Sequence, residues 1–497
     1  MSLAVIHSRA QVGIEAPAVT VEAHLANGLP SFTLVGLPET AVRESKDRVR
    51  SALQSAGFEF PARRITLNLA PADLPKDGGR FDLAIALGIL IASGQVQSQQ
   101  TEQLECLGEL ALSGALRPVP GVLPAALAAR DAGRALVVAK ENAEEAAQVK
   151  GLTLYAVGHL LELSAHLNGQ TPLAPYQRQE APAPNTSYPE LADVKGQLAA
   201  KRALLVAAAG RHNLLLTGPP GTGKTLLASR LPGILPPLSE DEALEVAAIW
   251  SVANLDTPTG WPQRPFRQPH HSASGPALVG GNGRPRPGEI SRAHQGVLFL
   301  DELPEFDRRV LEVLRQPLEA GEIIISRARD KVRYPARFQL VAAMNPCPCG
   351  YLGDPSGRCQ CTPDQVRRYR AKLSGPLLDR IDLQITMARE ETRLQPKDEP
   401  GLTSAKAARI VAAASARQFA RQGCANAHLQ PAALAQHCHL EENDRQWLEA
   451  ASSRLVLSLR SVHRILKVAR TLADLDAADN IGRQHLAEAL QYRGLPD

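Results

Sequence analysis

The stretch "NLLLTGPPGTGKTLLASRL", residues 213–231, decides the fold class of the central part of this 497-residue chain. It joins a short apolar run, a turn rich in glycine and proline, and a run with helical spacing. The turn matches G-x-x-x-x-G-K-[ST], in which backbone N–H groups curl around the phosphates of a nucleotide. A chance glycine-rich loop is the alternative, but the strand-like run before the turn and the helical run after it favour a phosphate-binding loop. The residues predicted to bind the nucleotide are Gly218, Pro219, Pro220, Gly221, Thr222, Gly223, Lys224 and Thr225.

A second motif completes a nucleotide site. In the loop, Lys224 is expected to reach the β- and γ-phosphates and Thr225 to hold Mg²⁺. The run "GVLFLDE", residues 296–302, is apolar and ends in two acids. We expect Asp301 to bind Mg²⁺ through water and Glu302 to polarise the attacking water. Such a run is common by itself, but downstream of a phosphate-binding loop it predicts a site that uses ATP and Mg²⁺.

Asn345 ends a third apolar run, "FQLVAAMN", residues 338–345. Its amide can bond the γ-phosphate or the attacking water, and the alternative is a polar residue that begins a turn. Arg380 follows a short apolar helix in "SGPLLDRIDL", residues 374–383. In a ring ATPase such an arginine enters the neighbouring subunit's site and stabilises transition-state charge. The alternative is a surface arginine paired with Asp379 or Asp382.

Arg460 lies in "SLRSVHRILKVARTL", residues 458–472, near the end of the chain. It can reach the γ-phosphate bound by its own chain. Arg464, one helical turn further on, is the competing candidate.

The pattern of the chain predicts an α/β fold with several domains, because 497 residues exceed what one core holds. Apolar runs between helical stretches indicate a parallel sheet with helices on its faces. We predict an α/β domain over residues 1–168, a linker over 169–188, a P-loop ATPase core over 189–392 and a helical domain over 393–497. The linker is rich in Pro, Gln, Ala and Ser and has no apolar periodicity.

The amino-acid composition indicates the class of protein and the compartment in which we expect it. Hydrophobic residues make up 44% and charged residues 21%, as in a soluble globular protein. The N-terminus has no basic region followed by an apolar run, and no run is long enough to cross a bilayer. We therefore expect a cytoplasmic protein with no membrane partner. The net charge of +4 permits nucleic-acid binding without requiring it.

Four of the seven cysteines fall within fifteen residues, as two C-x-C pairs. The pairs flank a loop rich in glycine, which can fold back and bring the four thiolates together around Zn²⁺. Free thiols and a disulfide are the alternatives, and a reducing compartment disfavours the disulfide. The candidate zinc ligands, within an insertion over residues 347–361, are Cys347, Cys349, Cys359 and Cys361.

Basic residues concentrate in two segments. "IISRARDKVRYPARF", residues 324–338, alternates apolar and basic residues on both sides of "ARDK", which predicts a β-hairpin with a charged tip. We expect its basic residues to contact DNA phosphates, and a solvated tip is the alternative. The second segment, residues 261–289, is rich in Pro and Gly and could also contact DNA. The hairpin candidates are Arg327, Arg329, Lys331 and Arg333, and the insertion adds Arg264, Arg267, Arg284 and Arg286. The adjacent His270 and His271 have no ligand-spaced partner, so a hydrogen-bonding role is favoured over a metal.

Taken together, several motifs resemble the YifB/ComM family of magnesium-chelatase-like AAA+ ATPases. The motifs are "DVKGQ", "GPPGTGKT", "RQPHHSAS", "PRPGEISRAHQGVLFLDELPEF", "LRQPLE", "YPARFQLVAAMNPCPCG", "SGPLLDRIDL" and the N-terminal "NGLPSFTLVGLPETAVRESKDRVRSAL". The resemblance implies a homo-hexameric ring and, for competence proteins, helicase and branch-migration activity on single-stranded or branched DNA during transformation, with recombination proteins as further partners. It also implies that Asn345 is sensor 1, Arg380 the arginine finger and Arg460 sensor 2. A chelatase-like or chaperone-like ATPase that remodels a protein or porphyrin complex is the alternative.

The N-terminal domain resembles the one that carries a Ser–Lys dyad in Lon proteases. In that resemblance a serine follows a P-K-[DE]-G turn, and here Arg80 stands in its place after "PKDG", residues 75–78. The lysine is expected near Leu123, where no lysine occurs. Peptide hydrolysis by this mechanism needs a nucleophile and a base, so the missing serine and lysine argue against the hypothesis of a Lon-like protease. Ser93, on the following apolar helix, is expected to serve packing.

Overall fold

The chain folds into two units, each with its own sheet and its own apolar core. The computed structural model describes residues 2–36, 42, 44–97, 101–178, 188–255, 262–281, 285–326, 331–389 and 401–493. One unit takes residues 1–184, 243–259 and 326–334, and the other takes 185–242, 260–325 and 335–497. Across the described ranges, the helices are all too short or too polar to cross a bilayer.

A seven-stranded mixed sheet forms the centre of the first unit, in the order β3-β4-β2-β1-β5-β8-β9. Strands β1, β2 and β4 pair antiparallel, and the outer pairs are parallel. The strands of this sheet are β1 (Ser2–Arg9), β2 (Ala18–Ala26), β3 (Ser31–Val35), β4 (Arg64–Ala70), β5 (Leu104–Cys106), β8 (Ala135–Ala139) and β9 (Leu154–Val157). A separate antiparallel pair consists of β6 (Glu109–Leu110) and β7 (Leu116–Arg117). The helices are α1 (Ser45–Ser55), α2 (Asp82–Ala92), α3 (Val122–Asp131), α4 (Ala143–Ala146) and α5 (Leu160–Leu167).

The dyad positions of the first unit are packed into its interior. Arg80 is 5% exposed, and its guanidinium donates to Gln11 Oε1 at 2.8 Å and to the carbonyl of Pro120. Burial lowers the pKa of Arg80 to about 10. Leu123 is fully buried, and Ser93 donates to the carbonyl of Leu90. These side chains therefore contribute to packing and hydrogen bonding inside the first unit.

A five-stranded parallel sheet organises the second unit, in the order β11-β12-β15-β10-β16. The three central strands are buried along their whole length, which explains their continuous apolar runs. Its strands are β10 (Leu214–Thr217), β11 (Phe266–Arg267), β12 (Val297–Leu300), β15 (Gln339–Met344) and β16 (Leu383–Thr386). Between β12 and β15 along the chain, β13 (Glu322–Ser326) and β14 (Lys331–Pro335) form a two-stranded sheet.

The remaining helices lie along the chain from residue 198 to residue 491, and most of α8 belongs to the first unit. They are α6 (Leu198–Gly210), α7 (Lys224–Ala228), α8 (Glu240–Val252), α9 (Gly275–Val279), α10 (Glu289–Arg292), α11 (Arg308–Val313), α12 (Arg315–Ala320), α13 (Pro363–Arg370), α14 (Gly375–Leu378), α15 (Ser404–Gln422), α16 (Pro431–His437), α17 (Glu442–Arg454), α18 (Leu459–Leu475) and α19 (Arg483–Gln491). The predicted fold class, α/β with a P-loop core and a helical C-terminal region, is confirmed. The bounds of the four predicted segments remain a prediction. The beginning of the predicted linker packs on the first unit, where Leu173 joins the core.

Candidate active site

The phosphate-binding loop lies between β10 and α7, at the carboxyl edge of the parallel sheet. Gly223 precedes α7 with φ +85°, a conformation that side chains disfavour. Gly218 has no room for a side chain, because a Cβ there would meet the Met387 carbonyl oxygen at 2.5 Å. The two glycines are therefore required by the backbone, which explains why this turn has its sequence.

The Lys224 ammonium lies inside this loop. It donates to the carbonyl oxygens of Gly218 at 2.7 Å and Pro219 at 2.9 Å, and to Asn345 Oδ1 at 3.1 Å. Burial lowers the pKa of Lys224, and the nearby Asp301 and Glu302 oppose that shift. The predicted Lys224 and Asn345 are thus brought together, although 121 residues separate them.

Thr225 and Asp301 meet in the same place. The Thr225 hydroxyl donates to Asp301 Oδ2 at 2.7 Å, which joins the start of α7 to the end of β12. A hydroxyl and a carboxylate are oxygen ligands of the kind that Mg²⁺ prefers. The two side chains therefore fit the predicted Mg²⁺ site, in which the ion would neutralise phosphate charge.

Glu302 follows Asp301 with a backbone φ of +52° and ψ of +45°. For a residue with a side chain this left-handed conformation is strained, and such strain clusters at functional sites. The Glu302 amide donates to Asp301 Oδ1 at 2.9 Å, which supports the turn. Its carboxylate lies 3.3 Å from His271 Nδ1 through Oε2.

A buried tyrosine lies near the end of β15. Tyr369 of α13 is 6% exposed, and it lies close to the backbone of Asn345. Burial raises the pKa of Tyr369 to about 12, so the ring stays neutral. The side chain of Asn345 faces Lys224, which donates to its Oδ1.

Arg380 is buried within its own chain, at 7% exposure. Its guanidinium donates to the carbonyls of Pro376 at 2.6 Å and Arg315 at 3.2 Å, and it pairs with Glu319 at 2.5 Å. Its ion-pair partner is thus Glu319, whereas the sequence alternative named Asp379 or Asp382. Its role as an arginine finger stays a prediction.

The two arginines of α18 lie in different environments. Arg460 is exposed, whereas Arg464 Nη1 pairs with the buried Asp382 Oδ1 at 2.5 Å. Asp382 also accepts the backbone N–H of Asn213 at 3.1 Å, and His212 Nδ1 lies 3.5 Å from its carboxylate. Burial alone would raise the pKa of Asp382, but His212 and Arg464 hold it well below its usual range. Arg464 therefore has a structural partner, and the exposed Arg460 remains the sensor candidate.

The four clustered cysteines converge. The Sγ atoms of Cys347, Cys349 and Cys359 lie 3.4 to 3.8 Å apart, and all four sulfurs, including Cys361, lie within 4.8 Å of one another. Four thiolates bound tetrahedrally to Zn²⁺ at about 2.3 Å have sulfurs about 3.8 Å apart. Backbone N–H groups of Tyr351 and Gln360 lower the pKa of the Cys349 thiol to about 6. The donor set thus fits Zn²⁺.

This cysteine cluster adjoins the nucleotide loop. Gly350, with φ +86°, lies against Pro220 of the nucleotide loop, since a Cβ at Gly350 would lie 2.7 Å from Pro220 Cδ. Cys347, two residues after Asn345, is fully buried. A metal ion that fixed the conformation of the cysteine loop would therefore also restrain Pro220 and Asn345.

The candidate DNA-binding residues divide by exposure. On β14, Lys331 and Arg333 are exposed and alternate with the buried Val332 and Tyr334. The two hairpin strands are thus present as predicted. Arg327 and Arg329 lie outside the described residues, as does Arg284 of the insertion.

Two residues of the Pro/Gly-rich insertion correct the prediction. Arg264 is 7% exposed and bonds the carbonyls of Pro236 and Gln295 and the carboxylate of Glu242. Burial lowers its pKa to about 10. The prediction that Arg264 contacts DNA is wrong because the guanidinium holds the fold together.

Arg267 donates two bonds to Glu289, at 2.7 and 2.9 Å, which favours a structural role for it as well. Of the insertion's described arginines, Arg286 is the exposed one.

Two features of the site were not predicted from the sequence. One is the proximity of His271 to Glu302, signalled only by a histidine pair after a two-residue strand. The other is the role of Asp382, two residues after Arg380, for which the sequence offers only "DRID" as a signal.

Comparison with known proteins agrees with this geometry. The family described as magnesium chelatase, subunit ChlI, matches residues 190–394. Subunit ChlI of Mg-chelatase matches residues 21–142, and the ChlI C-terminal family matches residues 401–493.

Similar full-length proteins come from several bacteria. Competence protein ComM of Haemophilus influenzae is 54% identical over 502 residues, which cover 100% of this chain and 98% of that protein. YifB of Escherichia coli K12 is 52% identical over 497 residues, with the same two coverages. The magnesium-chelatase 38 kDa subunit of Cereibacter sphaeroides is 28% identical over 171 residues, or 31% of this chain and 51% of that subunit. Because the identities to YifB and ComM extend over the full length and the site has the P-loop geometry, this chain belongs to the YifB/ComM family of magnesium-chelatase-like AAA+ ATPases.

Proposed function

We propose that this protein is an ATP-driven motor that acts on DNA as a homo-hexameric ring, in the helicase and branch-migration class. The observation that carries the proposal is the convergence of Lys224, Thr225, Asp301, Glu302 and Asn345 at one sheet edge. The exposed basic residues of β14 lie between two strands of the same sheet along the chain.

The residues of the site suit ATP hydrolysis. Lys224 neutralises phosphate charge, and Thr225 and Asp301 hold Mg²⁺. Glu302 accepts a proton from water while the water oxygen bonds to the γ-phosphorus. The bond from the γ-phosphorus to the β–γ bridging oxygen breaks, so ADP leaves with that oxygen and its electron pair. Asn345 orients the water or a γ-phosphate oxygen.

The ring places Arg380 of one copy at the nucleotide of the next. An arginine that reaches a transferring phosphoryl group stabilises its transition-state charge. Within its own chain this arginine pairs with Glu319, whose side chain is about half exposed. Assembly therefore requires that Arg380 exchange Glu319 for the neighbouring phosphate.

DNA is proposed as the polymer that the motor moves along. Lys331 and Arg333 present two positive charges on the exposed face of β14. Phosphate contacts of this kind bind DNA without regard to its sequence. The name of the Haemophilus relative, competence protein, favours a role in natural transformation, in which recombination proteins are further partners.

Zinc is proposed as a structural cofactor of the same core. The four sulfurs of Cys347, Cys349, Cys359 and Cys361 have the spacing of a tetrahedral thiolate site. Bound there, Zn²⁺ would crosslink the loop that follows Asn345.

A second candidate function is remodelling of a protein or porphyrin complex by the same ATPase. It is favoured by the similarity to the magnesium-chelatase 38 kDa subunit over 171 residues.

The test is ATP hydrolysis with and without DNA. We expect single-stranded or branched DNA to raise the rate severalfold, and Lys224→Ala to abolish it in both conditions. Lys331→Ala/Arg333→Ala is expected to lose most of the stimulation while keeping the DNA-free rate. Equal rates with and without DNA contradict the proposal, and stimulation by a porphyrin or a partner protein alone selects the second candidate.

A further inference from the structure

The first unit contains two segments that lie, along the chain, between strands of the second unit's sheet. One is residues 243–259, which include most of α8, and the other is residues 326–334, which include most of β14. Each segment contacts a loop of the first unit. The loop that contacts β14 joins β1 to β2, and the loop that contacts α8 directly precedes α3.

The turn between β1 and β2 lies against β14. Two backbone bonds of 3.0 Å close this turn around Gly13, which has φ +63°. A Cβ at Gly13 would lie 2.6 Å from Val332 Cγ1 and 3.0 Å from the carbonyl oxygen of Arg333. Val332 and Tyr334, on the face of β14 towards Gly13, are buried, whereas Lys331 and Arg333 are exposed. The turn therefore contacts the apolar face of the strand and leaves its basic residues exposed.

The loop before α3 contacts the end of α8. The Gly121 N–H donates to the carbonyl of Ser251 at 3.3 Å, and the Leu123 N–H donates to the Ser251 hydroxyl at 3.4 Å. A Cβ at Gly121 would lie 2.7 Å from Oε1 of Gln11, which belongs to the segment between β1 and β2. The loop that contacts α8 and the loop that contacts β14 are therefore in contact with each other.

Arg80 forms hydrogen bonds with both loops. Its guanidinium donates to Gln11 Oε1 at 2.8 Å in one loop and to the carbonyl of Pro120 in the other. Because Arg80 is 5% exposed, removing these bonds would leave buried polar groups without partners. In the resemblance to Lon proteases, this arginine stands where the nucleophilic serine is expected. The side chain at that position therefore joins the loops that contact α8 and β14.

We propose that the first unit supports the DNA-contacting strand β14 and that Arg80 is a positioning residue of this support. Arg80 fixes the turn that contains Gly13, and the turn fixes the buried face of β14. The opposite face then presents Lys331 and Arg333 to phosphate groups. This inference rests on the proposed action on DNA, and it gives a role to a domain in which the serine and lysine of the dyad are missing.

Gly13→Ala tests the contact between the turn and β14. The added Cβ meets Val332, whose branched side chain has little rotational freedom, so β14 must shift. We expect the Kd for single-stranded DNA, measured by fluorescence anisotropy, to rise about fivefold, with kcat and KM for ATP unchanged in the absence of DNA. Gly13→Ala/Val332→Ala removes the clashing methyl group and should recover part of the affinity.

Gly57→Ala is the matched control for this variant. Gly57 lies in the same unit with φ +79°, and an added Cβ would have no other atom within 4 Å. The control therefore introduces similar backbone strain without a new contact, and it should leave the Kd for DNA unchanged.

Arg80→Met tests the bonds between the two loops. We expect it to weaken DNA binding as Gly13→Ala does, again with kcat and KM for ATP unchanged in the absence of DNA. In a chain that already carries Lys331→Ala/Arg333→Ala, neither variant should weaken DNA binding further, because both act through β14. A further loss of affinity in that background would overturn the inference.

Hydrogen exchange of β14 tests the support without DNA. The amide N–H groups of β14 should exchange several times faster in Gly13→Ala and in Arg80→Met than in Gly57→Ala. Equal exchange in Gly13→Ala and Gly57→Ala overturns the inference, and so does an unchanged Kd for DNA in Gly13→Ala. If the wild type neither binds DNA nor is stimulated by it, the proposed function fails, whereas the exchange rates still decide whether the first unit supports β14.

Discussion

Thr225 Oγ1 lies 2.7 Å from Asp301 Oδ2, although 76 residues separate the two. The contact joins the first turn of α7, which follows the phosphate-binding loop, to the residue directly after β12. The order of the strands in the sheet therefore brings together two oxygens that suit Mg²⁺.

Thr225→Ala is expected to raise the Mg²⁺ concentration for half-maximal ATP hydrolysis by about tenfold, because it removes one ligand oxygen. Thr225→Ser keeps the hydroxyl and should retain the wild-type requirement. A Mg²⁺ titration of the hydrolysis rate measures both.

Ser229→Ala is the matched control for this titration. Ser229 directly follows the last residue of α7, and its hydroxyl donates to the carbonyl of Leu226. An unchanged Mg²⁺ requirement in Thr225→Ala would show that the hydroxyl does not hold the ion.

Cys359→Ser is expected to remove a structural zinc. Purified wild type should carry about one zinc per chain, and the variant close to none, because three thiolates leave the tetrahedral site open. Since Gly350 of the same loop lies against Pro220, the variant should also bind ATP analogues several times more weakly. Elemental analysis and an ATP-analogue titration are the measurements.

Cys424 lies outside the cluster and provides the control, as Cys424→Ser should keep the metal. Wild-type protein without metal, purified in the absence of chelators, would rule out the zinc site.

Much of the site could be predicted from the sequence because Asp301 and Asn345 end apolar runs and Lys224 lies in the glycine-rich loop after another. Lys224, Asp301 and Asn345 follow β10, β12 and β15, and parallel strands deliver their carboxyl ends to one edge. The continuous apolar runs themselves follow from the burial of these strands on both faces.

The failures arise where distant segments decide the environment. Arg264 lies in a Pro/Gly-rich segment that is typical of an exposed loop, yet Glu242 and two carbonyls from other segments surround it. The position of His271 depends on β11, whose two residues, Phe266 and Arg267, are too few to show a periodic pattern. Pairing of β11 with β12 is information that only the fold contains.

Arg460→Ala should lower the rate of ATP hydrolysis, whereas Arg464→Ala should lower the stability of the fold. Arg460 is exposed, so its replacement is expected to lower kcat for ATP at least tenfold while the melting temperature stays within about 1 °C. Arg464 pairs with the buried Asp382, so its replacement should lower the melting temperature by several degrees. Steady-state kinetics and thermal unfolding of both variants measure the contrast, and a stable but inactive Arg464→Ala would exchange the two assignments.

Asp382→Asn is expected to destabilise the second unit by about 3 kcal/mol, because it removes the buried carboxylate that pairs with the partly buried Arg464 guanidinium. For a unit of this size the loss corresponds to a fall of about 5 °C in melting temperature. Asp379→Asn, three residues away and exposed, is the matched control and should be within about 0.5 kcal/mol of wild type.

The same carboxylate predicts a pH dependence with a definite sign. Because the pKa of Asp382 is held below its ordinary value of 3.8 in the folded chain, its contribution is fully present above that value. The contribution is lost as the pH falls further, since the unfolded chain takes up the proton first. Thermal unfolding from pH 7 to pH 3 should therefore show the deficit of Asp382→Asn relative to wild type shrinking below about pH 4. A deficit that stays constant to pH 3, or one below about 1 kcal/mol at pH 7, would show that the Arg464–Asp382 pair does not stabilise the fold.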